Sequence, residues 1–203
     1  MTALEIADFI GIISFALSGF LIAVHCKLDI LGVFISSFLT ALGGGMIRDV
    51  LADRTPYVFT DTLPVILVIA TVLIALLFKL HKSDDIESKT AFIVSDAVGL
   101  VSFSITGSII AIQNEYNFLG VLILAFLTAV GGGTIRDILI NRVPSILISE
   151  FYATVALIVG FIVYTLDIFE MRTLFTVLIV FVFGVALRLL AYYRKWHLPT
   201  LSK

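Results

Sequence analysis

The chain has 203 residues, 60% of them hydrophobic and only 14% charged, with a mean hydropathy of +1.15. Soluble domains average about 45–50% apolar and about 25% charged residues, so this composition is that of an integral membrane protein. A net charge of −2 with no basic run excludes tracking of a nucleic-acid backbone, and the lone Cys26 excludes an internal disulfide or a cysteine metal cluster.

A bilayer span takes about 20 mostly apolar residues. Seven stretches qualify, at residues 6–24, 30–51, 63–80, 92–112, 118–140, 146–166 and 173–193. The first carries Glu5 and Asp8, lacks a basic leader and is followed by further spans, so it does not read as a signal peptide. Its Asp8, Gly11, Ser14 and Ser18 fall on one broad helical face, as either helix-packing glue or a hydroxyl-lined wall.

The second span holds Thr40 and then Gly43-Gly44-Gly45-Met46-Ile47-Arg48-Asp49. Each glycine costs a helix about 1 kcal/mol relative to alanine. Three in a row therefore predict a kink or an unwound turn, whose freed carbonyls need protein or a water-filled cavity around them. Close helix packing is the other reading, and explains one glycine better than three. Arg48 and Asp49 add charge at membrane depth, where ionisable residues face the bundle interior or water. The residues leave open whether they form a gate or a clamp on the helix. Arg54 and Pro56 read as a helix end at the interface.

After the third span comes the one strongly polar connection, residues 81–89, and then the chain repeats itself. At an offset of 88 residues Asp8 pairs with Asp96, Gly11 with Gly99, Ser14 with Ser102, Phe15 with Phe103 and Ser18 with Thr106. Thr40 pairs with Thr128, and Gly43, Gly44 and Gly45 pair with Gly131, Gly132 and Gly133. Arg48-Asp49 pairs with Arg136-Asp137, Arg54 with Arg142 and Pro56 with Pro144. From Phe38 to Pro56, 13 of 19 positions are identical to their partners. A unit of three spans duplicated in tandem enters the membrane in opposite orientations. The fold class is therefore an all-α membrane protein of seven transmembrane helices: two inverted three-helix repeats (residues 1–88 and 89–170) and one extra helix with its tail (171–203). Inversion brings the two glycine runs together near the midplane. It also sets Asp8 and Asp96 at opposite ends of a path, as cation-attracting mouths, with Ser14, Ser18, Thr40, Ser102, Thr106 and Thr128 along its wall.

Arg48, Arg54 and Arg172 lie on the side of the N-terminus. The other ten lysines and arginines (Lys27, Lys79, Lys82, Lys89, Arg136, Arg142, Arg188, Arg194, Lys195, Lys203) lie opposite. The positive-inside rule then puts the C-terminus in the cytoplasm and the N-terminus outside. His25, His81 and His197 all sit at helix ends, which argues against a metal site. No zinc-peptidase motif, nucleotide-binding loop, catalytic triad or Thr-Val-Gly-Tyr-Gly filter occurs, so no enzyme is expected.

Two copies of Gly-Gly-Gly-x-Ile-Arg-Asp-(Val/Ile)-Leu in a three-plus-three-plus-one chain resemble the prokaryotic trimeric intracellular cation (TRIC) channels, a family also described as a glycine-transporter domain. The resemblance runs from Ile6 to about Tyr193. It implies a homotrimer of the cytoplasmic membrane with one hourglass pore per subunit, conducting monovalent cations, chiefly potassium. It also implies that the second and fifth helices bend at their glycines and line the path with the first and fourth. No cofactor is implied beyond permeant K+ or Na+, coordinated in passing at the glycine-break carbonyls, and bound lipid. Animal members carry a lysine motif tied to phosphoinositides where this chain reads Thr134-Ile135-Arg136-Asp137, so that ligand is not expected. The alternative is a secondary transporter of a small amino acid such as glycine, since inverted repeats with broken helices build many transporters.

Overall fold

The structure, a computed structural model, describes residues 2–80, 85–148 and 151–196. Among them are nine helices and no strands: α1 (Ala3–His25), α2 (Ile30–Leu51), α3 (Tyr57–Thr60), α4 (Leu63–Leu77), α5 (Asp85–Gln113), α6 (Phe118–Leu139), α7 (Ser145–Ile148), α8 (Tyr152–Ile168) and α9 (Leu174–Tyr193). Five (α1, α2, α5, α6 and α9) are long and apolar enough to cross a membrane, and α4 and α8 are shorter apolar helices. At 1.5 Å per residue α4 covers only about 22 Å. A one-turn helix precedes each short span, α3 before α4 and α7 before α8, and the expected span at 146–166 resolves into α7 and α8. Residues 81–84 of the polar connection, with His81 and Lys82, lie outside the described residues, as do His197 and Lys203.

Helix starts are set by polar side chains that accept otherwise unpaired N–H groups. Thr2 and Glu5 form a reciprocal capping box on α1. Asp29 accepts the Gly32 amide at 2.7 Å to start α2, and its repeat partner Asn117 accepts the Gly120 amide at 2.9 Å to start α6. The ends repeat too: left-handed residues close α1 and α5 at Lys27 and Glu115, and α2 and α6 at Asp53 and Asn141. The duplication thus preserves the turns as well as the spans.

Packing is reciprocal. α1 lies against α5 and α2 against α6, each helix against its own repeat counterpart, while α4 covers α1 and α2 as α8 covers α5 and α6. The seventh span, α9, packs on α5 and α8. At the centre Phe15 and Phe103 meet edge to face, with ring centroids 5.3 Å apart, and both are buried. Gly11 and Gly99 make room for them, since a Cβ at Gly11 would lie 2.7 Å from Phe103 and one at Gly99 2.1 Å from Phe15.

The triple glycines do something other than the expected unwinding. Both α2 and α6 are helical without interruption through them, and no glycine has a positive φ. The freed carbonyls expected there to coordinate K+ are therefore absent, because they stay in the helix ladder. The glycines act instead at the crossing of α2 and α6. A Cβ at Gly44 would sit 2.3 Å from the Thr128 carbonyl oxygen, and one at Gly132 2.0 Å from that of Thr40. Helices this close form Cα–H···O contacts backbone to backbone. The packing reading, which explains a single glycine, accounts for Gly44 and Gly132. Their neighbours Gly43 and Gly131 are each met by an isoleucine, Ile135 and Ile47, 2.8 Å from where a Cβ would be.

Candidate functional site

Arg48 and Arg136 organise the interior, and both are buried. Arg48, in the last turn of α2, donates from Nε to Asp49 Oδ1 at 2.9 Å and from Nη1 to Asp8 Oδ1 at 2.6 Å. Its Nη2 reaches Asp8 Oδ2 at 3.4 Å, and Nη1 also reaches Thr106 Oγ1 at 3.1 Å. Arg136, in the last turn of α6, repeats the pattern: Nε to Asp137 Oδ1 at 2.9 Å, Nη1 to Asp96 Oδ1 at 2.9 Å and to Ser18 Oγ at 2.8 Å. Its guanidinium also lies 5.0 Å over the Phe92 ring.

Each arginine thus binds the aspartate of its own repeat and a hydroxyl of the other, clasping α1 to α5. Asp8 and Ser18 are ten residues apart on α1, so the two clasps stand about 15 Å apart along the helix. Each clasp formally holds one positive and two negative charges, a net charge of −1. Buried charges of this kind persist only when paired and hydrogen-bonded. Asp49 and Asp137 have a further duty, accepting the amides of Tyr57 at 3.0 Å and Ser145 at 2.8 Å, which starts α3 and α7.

Two cavities reach these clasps from opposite ends of α1 and α5. One, of about 250 Å³, is lined by Glu5, Asp8, Arg48, Asp49, Arg54 and Tyr57. The other, of about 430 Å³, is lined by Lys89, Phe92, Asp96, Arg142, Ser145 and Arg188 among others. Asp8 with Asp96, Arg54 with Arg142, and Tyr57 with Ser145 are repeat partners, so the cavities are the two mouths of one symmetric arrangement. Phe15 on α1 and Phe103 on α5, buried against each other, fall in sequence between the clasp residues of their helices.

The wall residues divide by role. Ser18 and Thr106 bond the arginines, whereas Thr40 and Thr128 donate to carbonyls of their own helices, Ser36 and Leu124. Ser102 is fully buried between the clasps with its hydroxyl unbonded, and Ser14 is half-buried. Asp8 and Asp96 stand at opposite ends, on the cavity floors and ion-paired. Among the described residues no group of His, Cys, Asp or Glu is arranged to hold a metal ion.

Four participants escaped the sequence reading. Phe15 and Phe103 were legible only as a repeat pair. Tyr152 is buried beside Arg136, and Arg188 of α9 lies with its guanidinium 4.9 Å over the Tyr152 ring. A lone arginine inside the seventh apolar span was the available signal, and it had been counted only as a charge on one membrane side.

The Ser18 hydroxyl donates to Asp96 at 3.1 Å while accepting from Arg136. Ser18→Ala is therefore expected to destabilise the protein by about 1.5–3 kcal/mol, the range for hydrogen bonds to charged groups. A thermal melt of the purified protein checks it.

Residues 5–80 and 93–167 match the protein family described as Glycine transporter. The UPF0126 membrane protein YvgT of Bacillus subtilis (strain 168) is 36% identical over 203 residues, covering 98% of this chain and 97% of that protein. The UPF0126 inner membrane protein YadS of Escherichia coli (strain K12) is 39% identical over 155 residues, 76% of this chain and 74% of that one. Among solved structures, a prokaryotic TRIC channel in 0.5 M KCl superimposes with a TM-score of 0.88 at 32% identity, covering 96% of this chain and 98% of that one. A structure from work on conductance through TRIC cation channels gives 0.83 at 35% identity, with 98% and 97% covered. The TRIC trimeric intracellular cation channel orthologue from Rhodobacter sphaeroides gives 0.87 at 27% identity, with 96% and 100% covered.

Proposed function

From the premise that the chain belongs to the Glycine transporter family, whose fold is that of the TRIC channels, we propose that it is a potassium-permeable channel for monovalent cations. It works as a homotrimer with a separate path through each subunit and no cofactor beyond the permeant ion. The observation that carries this reading is the pair of opposed cavities, each lined by the ion-paired aspartate of one clasp, Asp8 in one and Asp96 in the other. Once freed from its arginine, a carboxylate at low dielectric attracts cations and repels anions. The arrangement described is a closed one. Permeation requires the clasps to loosen and the Phe15–Phe103 contact to part, leaving Ser14, Ser18, Ser102 and Thr106 to replace part of the ion's water shell.

The positive-inside count places the larger cavity, with Lys89, Arg142 and Arg188, on the cytoplasmic side and the N-terminus outside. Glycine transport is the weaker reading. The half-helix ends with which such transporters bind a carboxylate have no counterpart in the unbroken α2 and α6.

Purified protein in planar bilayers under KCl and NaCl gradients tests the proposal. The expected result is unitary currents reversing near the cation equilibrium potential. Asp8→Asn and Asp96→Asn should each reduce the preference for cation over chloride. Saturable uptake of labelled glycine without unitary currents would overturn it.

A further inference from the structure

The two clasps are not equivalent. All three guanidinium nitrogens of Arg48 are bonded. In Arg136, Nη2 is buried without a hydrogen-bond partner, and so is the hydroxyl of Tyr152. These two atoms border the same point: a Cβ on Gly133 would lie 3.7 Å from Arg136 Nη2 and 3.3 Å from the Tyr152 hydroxyl. The hydroxyl also interacts electrostatically with Asp96. Buried polar groups without partners are rare in native structures, and each calls for an explanation. Here two complementary ones border Gly133, next to the Arg136–Asp96 ion pair.

The repeat shows that this is an addition. Eighty-eight residues before Tyr152 the chain has Pro64, and the tyrosine at the first clasp, Tyr57, gives its hydroxyl to Asp61 and its backbone amide to Asp49. The ring is held from outside the repeat, by Arg188 of α9.

We propose that Tyr152 is the second seat of the Arg136 clasp. When Arg136 parts from Asp96, the phenol enters between them, donating its O–H to the Asp96 carboxylate and accepting from Arg136 Nη2. A phenol both donates and accepts, so one group satisfies both separated charges. Gly133 keeps the approach open by having no side chain. The second clasp is then bistable, while every guanidinium nitrogen of the first is already bonded. Arg188 makes the seventh helix the element that positions the switch. A state with its own hydrogen bonds is populated by what favours those bonds.

This inference rests on the channel reading, and two measurements separate them. In bilayers, Tyr152→Phe is expected to shorten open dwell times about ten-fold or more, the value of a charge-assisted hydrogen bond, with unitary conductance unchanged. It removes a hydroxyl that lacks a well-formed hydrogen bond in the closed state, so the variant should lose less stability than Ser18→Ala in a thermal melt. Gly133→Ala, which narrows the approach, should act in the same direction. Independently of current, Ser102→Cys in a Cys26→Ala background reports opening through its reaction with a water-soluble thiol reagent. Tyr152→Phe should slow that reaction by a similar factor. Equal labelling rates with and without Tyr152→Phe overturn the inference whether or not the protein conducts. Currents that fail in the parent while labelling slows as expected overturn the channel reading alone.

Discussion

Gly132→Ala is expected to be the most damaging single-methyl addition in the chain, lowering stability by about 3 kcal/mol, the upper end of overpacking costs. The new Cβ would lie 2.0 Å from the Thr40 carbonyl oxygen, a backbone atom of a buried helix that no rotamer change can move. Gly44→Ala meets the Thr128 carbonyl at 2.3 Å and should behave alike. Gly45→Ala meets nothing nearer than Arg48 Nη2 at 3.8 Å. Alanine's higher helix propensity is worth about 1 kcal/mol there, so that variant should melt at or above the parent. Thermal melts of the three purified variants read this contrast. If Gly132→Ala and Gly45→Ala melt together, the α2–α6 crossing is looser than described.

Arg136→Met is the second large effect. It removes the one positive charge between Asp96 and Asp137, both buried. Truncating one member of a buried ion pair costs about 3–5 kcal/mol, because the remaining charge is left uncompensated. Adding Asp96→Asn to Arg136→Met should recover part of that loss, while Asp96→Asn added to an intact Arg136 should not stabilise. The double-mutant cycle isolates the coupling. In bilayers, variants that assemble should show altered open probability, since the tie from α6 to α1 and α5 is gone. A stability cycle with no coupling, together with unaltered currents, would strip Arg136 of both roles.

The positions of these effects were legible in the sequence to different degrees. The 88-residue offset located both triple-glycine runs, Arg48 and Arg136, the four aspartates that pair with them, and the hydroxyls of Ser18 and Thr106. Identity between two copies survives only where the symmetric structure constrains both. Helix boundaries came within a few residues for five of the seven spans, because apolar length is a local property. The helix of the fourth span, α5, starts at Asp85, seven residues before the expected span, because its polar first turns carry no apolar signal. The sixth was misplaced: the short α7 and a break precede Tyr152, and an apolar run does not reveal where a helix stops and restarts.

What the sequence determined by itself was the inverted architecture, the two charged glycine motifs and their approach from opposite sides. Their mechanism was decided by tertiary structure. Three consecutive glycines are equally consistent with unwinding and with close crossing. Only the meeting of α2 with α6, backbone on backbone, selected crossing, because contact distance depends on a partner 88 residues away. Likewise an arginine beside an aspartate is gate or clamp until its other nitrogens are placed. Arg48 and Arg136 each reach across the two-fold to a hydroxyl of the opposite repeat, a pairing set by helix packing rather than by spacing. Tyr152 and Arg188 lie outside the repeat's symmetry, so no internal comparison could mark them. Only the packing of α8 and α9 against the second clasp put them beside Arg136.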